Sequence, residues 1–120
     1  MGLDICHIIL IESNNNSIDY LFIDDFSNNK KFLEKHKHKI VDRHGDKIIY
    51  YKDLGYIRKQ AIPMFINEFE NDKLYFTKSD VEKWFKYIKS NGNQQQLEIY
   101  FRRKFLDNFI EGESIFFISY

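Results

Sequence analysis

The chain has 120 residues, 43% of them hydrophobic and 30% charged, with eighteen basic and eighteen acidic side chains that cancel. That length and apolar content suffice for one domain that folds without staples, and they exclude an intrinsically disordered chain. Zero net charge leaves no global field to draw the chain onto nucleic acid or an anionic membrane, so nucleic-acid binding is not expected. The single cysteine, Cys6, excludes an internal disulfide and fits a reducing compartment. The apolar run Ile8 to Ile11 is too short to span a bilayer and is flanked by Asp4 and Glu12 rather than by basic residues, so neither a membrane span nor a signal peptide is expected and the cytoplasm is the expected setting. Twelve Phe, eight Tyr and one Trp exceed what a small core absorbs at ~150–250 Å² per ring, so some rings are expected at the surface. An AT-rich genome, which raises Phe, Tyr, Ile, Asn and Lys together, is the competing explanation.

In chain order, Leu3 to Glu12 is a nearly unbroken apolar run, which predicts a strand covered on both faces and central in its sheet. Ser13 to Ser17 reads as a turn, and Ile18 to Phe26 alternates as a second strand, so the two runs predict an antiparallel hairpin. Asn28 to His38 is rich in lysine and reads as a short exposed helix or a basic loop. Ile40 to Arg43 and Ile48 to Lys52 flank His44-Gly45-Asp46, which predicts a smaller hairpin with Gly45 in the turn. From about Gly55 to Glu70, Ile57, Ala61, Phe65 and Phe69 recur at helical spacing, which predicts a helix that Pro63 kinks or breaks.

Lys73 to Thr77 reads as a short strand. Ser79-Asp-Val-Glu82 has the pattern of a capping box, and Val81, Trp84, Phe85 and Ile88 mark the buried stripe of the helix it opens, with Gly92 as its stop. Asn93 to Gln96 is a polar connector. Helical spacing then resumes from Leu97 through Phe105 and Phe109 to Gly112, and Ser114 to Tyr120 closes as a strand. Early hairpins and later helices predict an α+β fold, a mainly antiparallel sheet with helices packed on one face. No linker or repeat divides residues 1–120, which read as a single domain.

Chemistry-bearing patterns are few. His36, His38 and His44 with Asp42 and Asp46 form the densest group of ligand-type residues, but interleaved lysines would repel a cation and the spacing matches no zinc pattern, so no metal is assigned. The basic window Lys30, Lys31, Lys35, Lys37, Lys39 and Arg43 would contact phosphates only if the fold joined it to Arg102-Arg103-Lys104. Asp24 and Asp25 with Glu12 lack the lysine-bearing strand of a divalent-metal nuclease and read as a turn. Cys6 and His7 are neighbours on a strand and so point to opposite faces, which excludes them as nucleophile and base, and Cys6 reads as a small buried residue. Arg58-Lys59-Gln60 begins the expected central helix, where Arg58 either closes an ion pair or contacts an anion.

Two stretches carry a resemblance. Met1-Gly-Leu-Asp-Ile5 and Gly55-Tyr-Ile-Arg-Lys59 resemble small phage and bacterial proteins that open M-G-L-D-[MI] and carry G-Y-W-R-K-A at the start of a helix. Ile57 stands where that family has Trp, Gln60 where it has Ala, and Pro63 falls inside its helix. The family carries no established activity, so the resemblance implies a phage-associated or mobile-element setting. It also implies that Gly2, Leu3, Asp4, Gly55, Tyr56, Arg58 and Lys59 belong to one site, with an Asp4–Arg58 ion pair tying the first strand to the helix.

No catalytic set and no cofactor motif is present, so the expected function is non-catalytic: a cytoplasmic inhibitor or immunity-type protein that docks on a protein partner. Tyr50, Tyr51 and Tyr56 as exposed tyrosines, with Arg58, Lys59 and Asp4, are its expected binding residues, since Tyr and Arg dominate interface hot spots. The alternative is a small-molecule or signalling-nucleotide binder, a sponge or a hydrolase, using Arg58 and Lys59. An open sheet edge also allows a homodimer under either reading.

Overall fold

The computed structural model describes residues 4–12, 19–26, 29–70, 73–92 and 95–119. The fold is α+β, built on an antiparallel five-stranded sheet. Its strands are β1 (Asp4–Leu10), β2 (Tyr20–Phe22), β3 (Ile40–Arg43), β4 (Asp46–Arg58) and β5 (Ile115–Ser119). The helices are α1 (Lys30–His36), α2 (Ile66–Glu70), α3 (Lys78–Ser90) and α4 (Gln95–Phe101). Strand order is β2-β4-β1-β5, with β3 also paired to β4. The chain divides into two compact units, Met1–Ile8 with Leu54–Tyr120 and Ile9–Asp53, and β1 and β4 each contribute to both.

The central position expected for the first strand holds. Ile5 and His7 are buried on one face of β1, Ile8 and Leu10 on the other. Its antiparallel partner is β5, in a register that sets His7 opposite Phe116 and Ile8 opposite Ile115. The hairpin expected between the first two runs does not form: β2 spans only Tyr20–Phe22, pairs with β4, and passes into a 3₁₀ turn at Ile23–Phe26. The turn proposed at Ser13 to Ser17 lies outside the described residues.

The smaller unit, Ile9–Asp53, contains the hairpin that local chemistry predicts. Arg43 pairs with Asp46 across a two-residue loop, and His44 (φ 54°) and Gly45 (φ 91°) both take the positive φ that such a turn needs. The Asp42 carboxylate accepts from the Gly45 N–H at 3.1 Å, which holds the corner. The lysine-rich segment is a helix, α1, started by Asn29, whose side chain accepts the Phe32 N–H. One face of it is buried rather than exposed. Phe32 and His36, four residues apart, turn inward, with the Phe26 ring tilted against Phe32 at 4.8 Å.

The larger unit has its core around Trp84, fully buried among Phe69, Phe76 and Phe116 at 5.0–5.3 Å. Val81, Trp84 and Ile88 of the expected stripe are buried and pack with Ile5, Ile57 and Phe116, while Phe85, its fourth member, is half-buried beside them. Two expectations are corrected here. The helix begins two residues before the Ser79 pattern. Thr77 is its cap, accepting the Asp80 N–H at 3.1 Å while the Asp80 carboxylate accepts the Thr77 N–H at 2.9 Å. Glu111 takes the Lys78 N–H at 3.1 Å, so the cap that forms is the one whose remaining donors find acceptors. Residues 73–77 do not form a strand. The Leu74 carbonyl instead accepts the Phe116 N–H at 3.0 Å, and Leu74 and Phe76 are buried.

Gly55 to Arg58 is not helical: β4 continues to Arg58, a 3₁₀ turn follows at Lys59–Ala61, and Pro63 opens a second at Pro63–Phe65 that leads into α2. Gly55 lies at φ +143°, far outside helical space, and exposed Tyr56 and Arg58 flank buried Ile57 in strand alternation. The break expected at Pro63 is present, with the proline at the start of a helical turn, where its missing N–H costs nothing.

His36 makes the smaller unit sensitive to acid. Burial, then the charges of Lys39, Lys35 and His38, push its pKa down to about 4 from 6.5. The unfolded chain therefore takes up this proton first as pH falls, and the stability His36 contributes is complete above about 6.5 and lost on the way down to 4. Unfolding followed between pH 7 and 4 should show this decline in the wild type and a flatter profile in His36→Phe.

Candidate functional site

The most constrained group in the larger unit is His7, which is fully buried. Its ring stacks on Phe116 at 4.6 Å and lies 5.4 Å from Phe105. Nδ1 is 2.8 Å from the Lys104 carbonyl, and a carbonyl only accepts, so Nδ1 carries the proton. Nε2 is 2.8 Å from Ser114 Oγ, which itself accepts the Ile110 N–H at 2.9 Å. The serine hydroxyl therefore donates to Nε2, and every buried polar atom of the set is satisfied.

A serine hydroxyl, an imidazole and an oxygen that orients it form the same sequence of contacts as a nucleophile, its base and an orienting group. Ser114 is only 1% exposed and His7 not at all, so no substrate reaches the hydroxyl. The pair acts structurally, tying β1 to the segment before β5 and to the end of the last helix. Sequence reading missed it because half of it is a backbone carbonyl 97 residues away, which has no signature. Cys6, on the opposite face of β1, is half-buried rather than fully buried.

The carbonyl that His7 engages sits in a π-helical turn, Arg102–Leu106, that extends α4 and is closed by the Asp107 N–H on the Arg102 carbonyl at 2.8 Å. The last carbonyls of a helix have no partner within it, and His7 satisfies this one. The same turn sets Lys104 against β4. A Cβ placed on Gly55 would lie 2.7 Å from Lys104 Cβ and 3.4 Å from the Tyr100 hydroxyl, so the glycine both allows the close approach and supplies the positive φ. One residue on, the Tyr56 N–H donates to the Tyr100 hydroxyl at 3.1 Å.

The end of β4 thereby holds the expected residues as follows. Tyr56 is 53% exposed. Arg58, its side chain 67% exposed, has Nε 3.8 Å from Asp4 Oδ1, so the expected ion pair exists, but between two strands rather than strand and helix. At that distance it is a charge contact without a hydrogen bond, and Asp4 Oδ1 has no hydrogen-bond partner among the described residues. With Arg58 in water and Asp4 half-buried, a loose pair of this kind contributes ~0–1 kcal/mol. Lys59 is half-buried at the start of the 3₁₀ turn.

Tyr50 and Tyr51 do not join them as exposed anchors. Both are half-buried in the smaller unit. The Tyr50 ring meets Tyr20 at 6.2 Å, and Tyr51 donates its N–H to the Asp19 carbonyl at 3.0 Å. Among the histidines, His36 is buried while His38 and His44 are exposed. Among the described residues no group of three or more His, Cys, Asp or Glu side chains is placed to hold a metal ion, and Glu12, Asp24 and Asp25 form no such group. No helix among them is long and apolar enough to cross a membrane. The basic window of α1 and Arg102-Arg103-Lys104 belong to different units. Tyr100 and Lys104 were not legible as site residues, being two more positions on a helical repeat. No family model, curated protein or solved structure matches the chain.

Gly55→Ala should test how tightly this corner is built. The added methyl meets Lys104 Cβ and forces a φ that alanine rarely adopts, so a destabilisation of about 1–3 kcal/mol is expected in urea unfolding. Amide signals of Tyr56 and Lys104 should move with it.

Proposed function

We propose that the protein is a non-catalytic cytoplasmic binding module of inhibitor or immunity type, working in a phage or mobile-element setting and docking on a protein partner through Tyr56 and Arg58. The observation that carries this reading is the exposure of Tyr56 on a backbone that is itself held. A large ring more than half in water, on a strand pinned by the Tyr100 hydroxyl, loses little conformational freedom when a partner covers it. Arg58 stands two residues away on the same strand face, with Asp4 near its Nε and no other ion pair among the described residues. Tyrosine with arginine is the composition that concentrates binding energy at interfaces. The burial of Ser114 and His7 removes the one nucleophile–base geometry described above from contact with any substrate.

Native mass spectrometry of the protein purified from its own lysate tests this reading. A protein partner at fixed stoichiometry is expected, lost in Tyr56→Ala and Arg58→Ala while the melting temperature stays within a few degrees of wild type. A tightly held small molecule of a few hundred daltons, lost in Arg58→Ala, would contradict it and favour a nucleotide ligand. Unfolding of both variants would make the two residues structural.

A further inference from the structure

We propose that the docking surface extends from Tyr56 and Arg58 onto the π-helical turn, with Tyr100 and Lys104 as binding residues, and that it takes a carboxylate-rich segment of the partner. This rests on the docking reading above and names the partner's chemistry. Tyr100 uses its oxygen to accept the Tyr56 N–H, and its own hydroxyl proton has no acceptor among the described residues. Lys104 is exposed, its stem laid against Gly55, and among the described residues no carboxylate lies within 4.0 Å of its ammonium. Arg58 makes only the 3.8 Å charge contact with Asp4, which leaves the fork of its guanidinium to pair with a carboxylate in two parallel hydrogen bonds.

These three groups are all donors. In sequence, the two stretches that meet here, residues 55–59 and 98–107, carry Arg58, Lys59, Arg102, Arg103 and Lys104 against Glu98 and Asp107, with Asp4 on the strand beside Arg58. Glu98 lies one turn before Arg102 on α4 and makes no ion pair with it, and Arg102 instead lies over Phe85 at 5.6 Å. A locally cationic surface that presents donors at Arg58, Tyr100 and Lys104 beside an exposed tyrosine suits an acidic protein segment, which supplies both acceptors and apolar contacts. A nucleic-acid backbone fits less well. Such binding draws its strength from many phosphate contacts, and this surface belongs to a chain of zero net charge whose other basic window, Lys30 to Arg43, lies in the smaller unit.

The experiment uses the full chain, 15N-labelled, titrated with a short glutamate-rich synthetic peptide, with its glutamine counterpart, and with a single-stranded oligonucleotide. The glutamate peptide should move the amide signals of residues 55–59 and 100–106, and the glutamine peptide should not. Lys104→Glu should weaken binding by about tenfold or more, Lys104→Met by less, and Tyr100→Phe by a few-fold. Equal binding of the glutamine peptide, signals moving elsewhere, or tighter binding of the oligonucleotide would each overturn the inference. The same variants in the partner assay separate the two readings. Loss of the partner in Tyr56→Ala with full retention in Lys104→Glu would sink the acidic-segment inference and leave docking standing. Retention in both would sink docking as well.

Discussion

A fully buried imidazole can leave neither of its nitrogens unsatisfied without a cost of about 1–3 kcal/mol, and that constraint shapes the larger unit. His7 meets it by donating Nδ1–H to the Lys104 carbonyl and accepting from the Ser114 hydroxyl, both at 2.8 Å. Phe105 and Phe116 close around the ring, so water cannot take either role. One side chain on the first strand thereby joins the end of the last helix and the start of the last strand. The π-helical turn, which would otherwise end in an orphan carbonyl, is held at Lys104 from the inside.

What the turn does on its outer side follows from that anchor. Lys104 and Tyr100 lie one helical turn apart, so fixing the Lys104 backbone sets both side chains against β4. Gly55 is the receiving position, where any Cβ would collide with the lysine stem. The Tyr100 hydroxyl then caps the Tyr56 N–H, and the strand carries Tyr56 and Arg58 outward on a backbone with little freedom. The exposed residues of the proposed interface therefore rest on a buried contact that no ligand touches.

The legible parts of the sequence were those decided within a few residues. His44-Gly45 announces a two-residue hairpin because only positive φ closes it, and Val81, Trp84 and Ile88 announce a buried helix face by their spacing. The central place of the first strand could be read from its two-sided apolar run. The failures share a different cause. Ile57, Ala61, Phe65 and Phe69 have helical spacing, yet Gly55 to Arg58 is strand, because partners remote in sequence decide it and three residues of alternation are too few to show it. Thr77 and Ser79 both open cap patterns, and contacts with Glu111 and the buried Leu74 and Phe76 select the first. Asp4 and Arg58 were paired in advance only through the family resemblance, and Tyr100 and Lys104 were not marked at all, since a hydroxyl aimed at a backbone N–H leaves no mark on composition.

The measurement closest to the centre of this account is the two-bond 1H–15N spectrum of the histidine side chains in the folded chain. With a carbonyl opposite Nδ1 and a hydroxyl donor opposite Nε2, His7 should show a protonated Nδ1 and an unprotonated Nε2. That tautomer, the less common one for a histidine in water, should vanish on unfolding. An Nε2–H tautomer for His7 in the folded protein would contradict the account, because the Lys104 carbonyl would then face a lone pair and the π-helical turn would have no anchor.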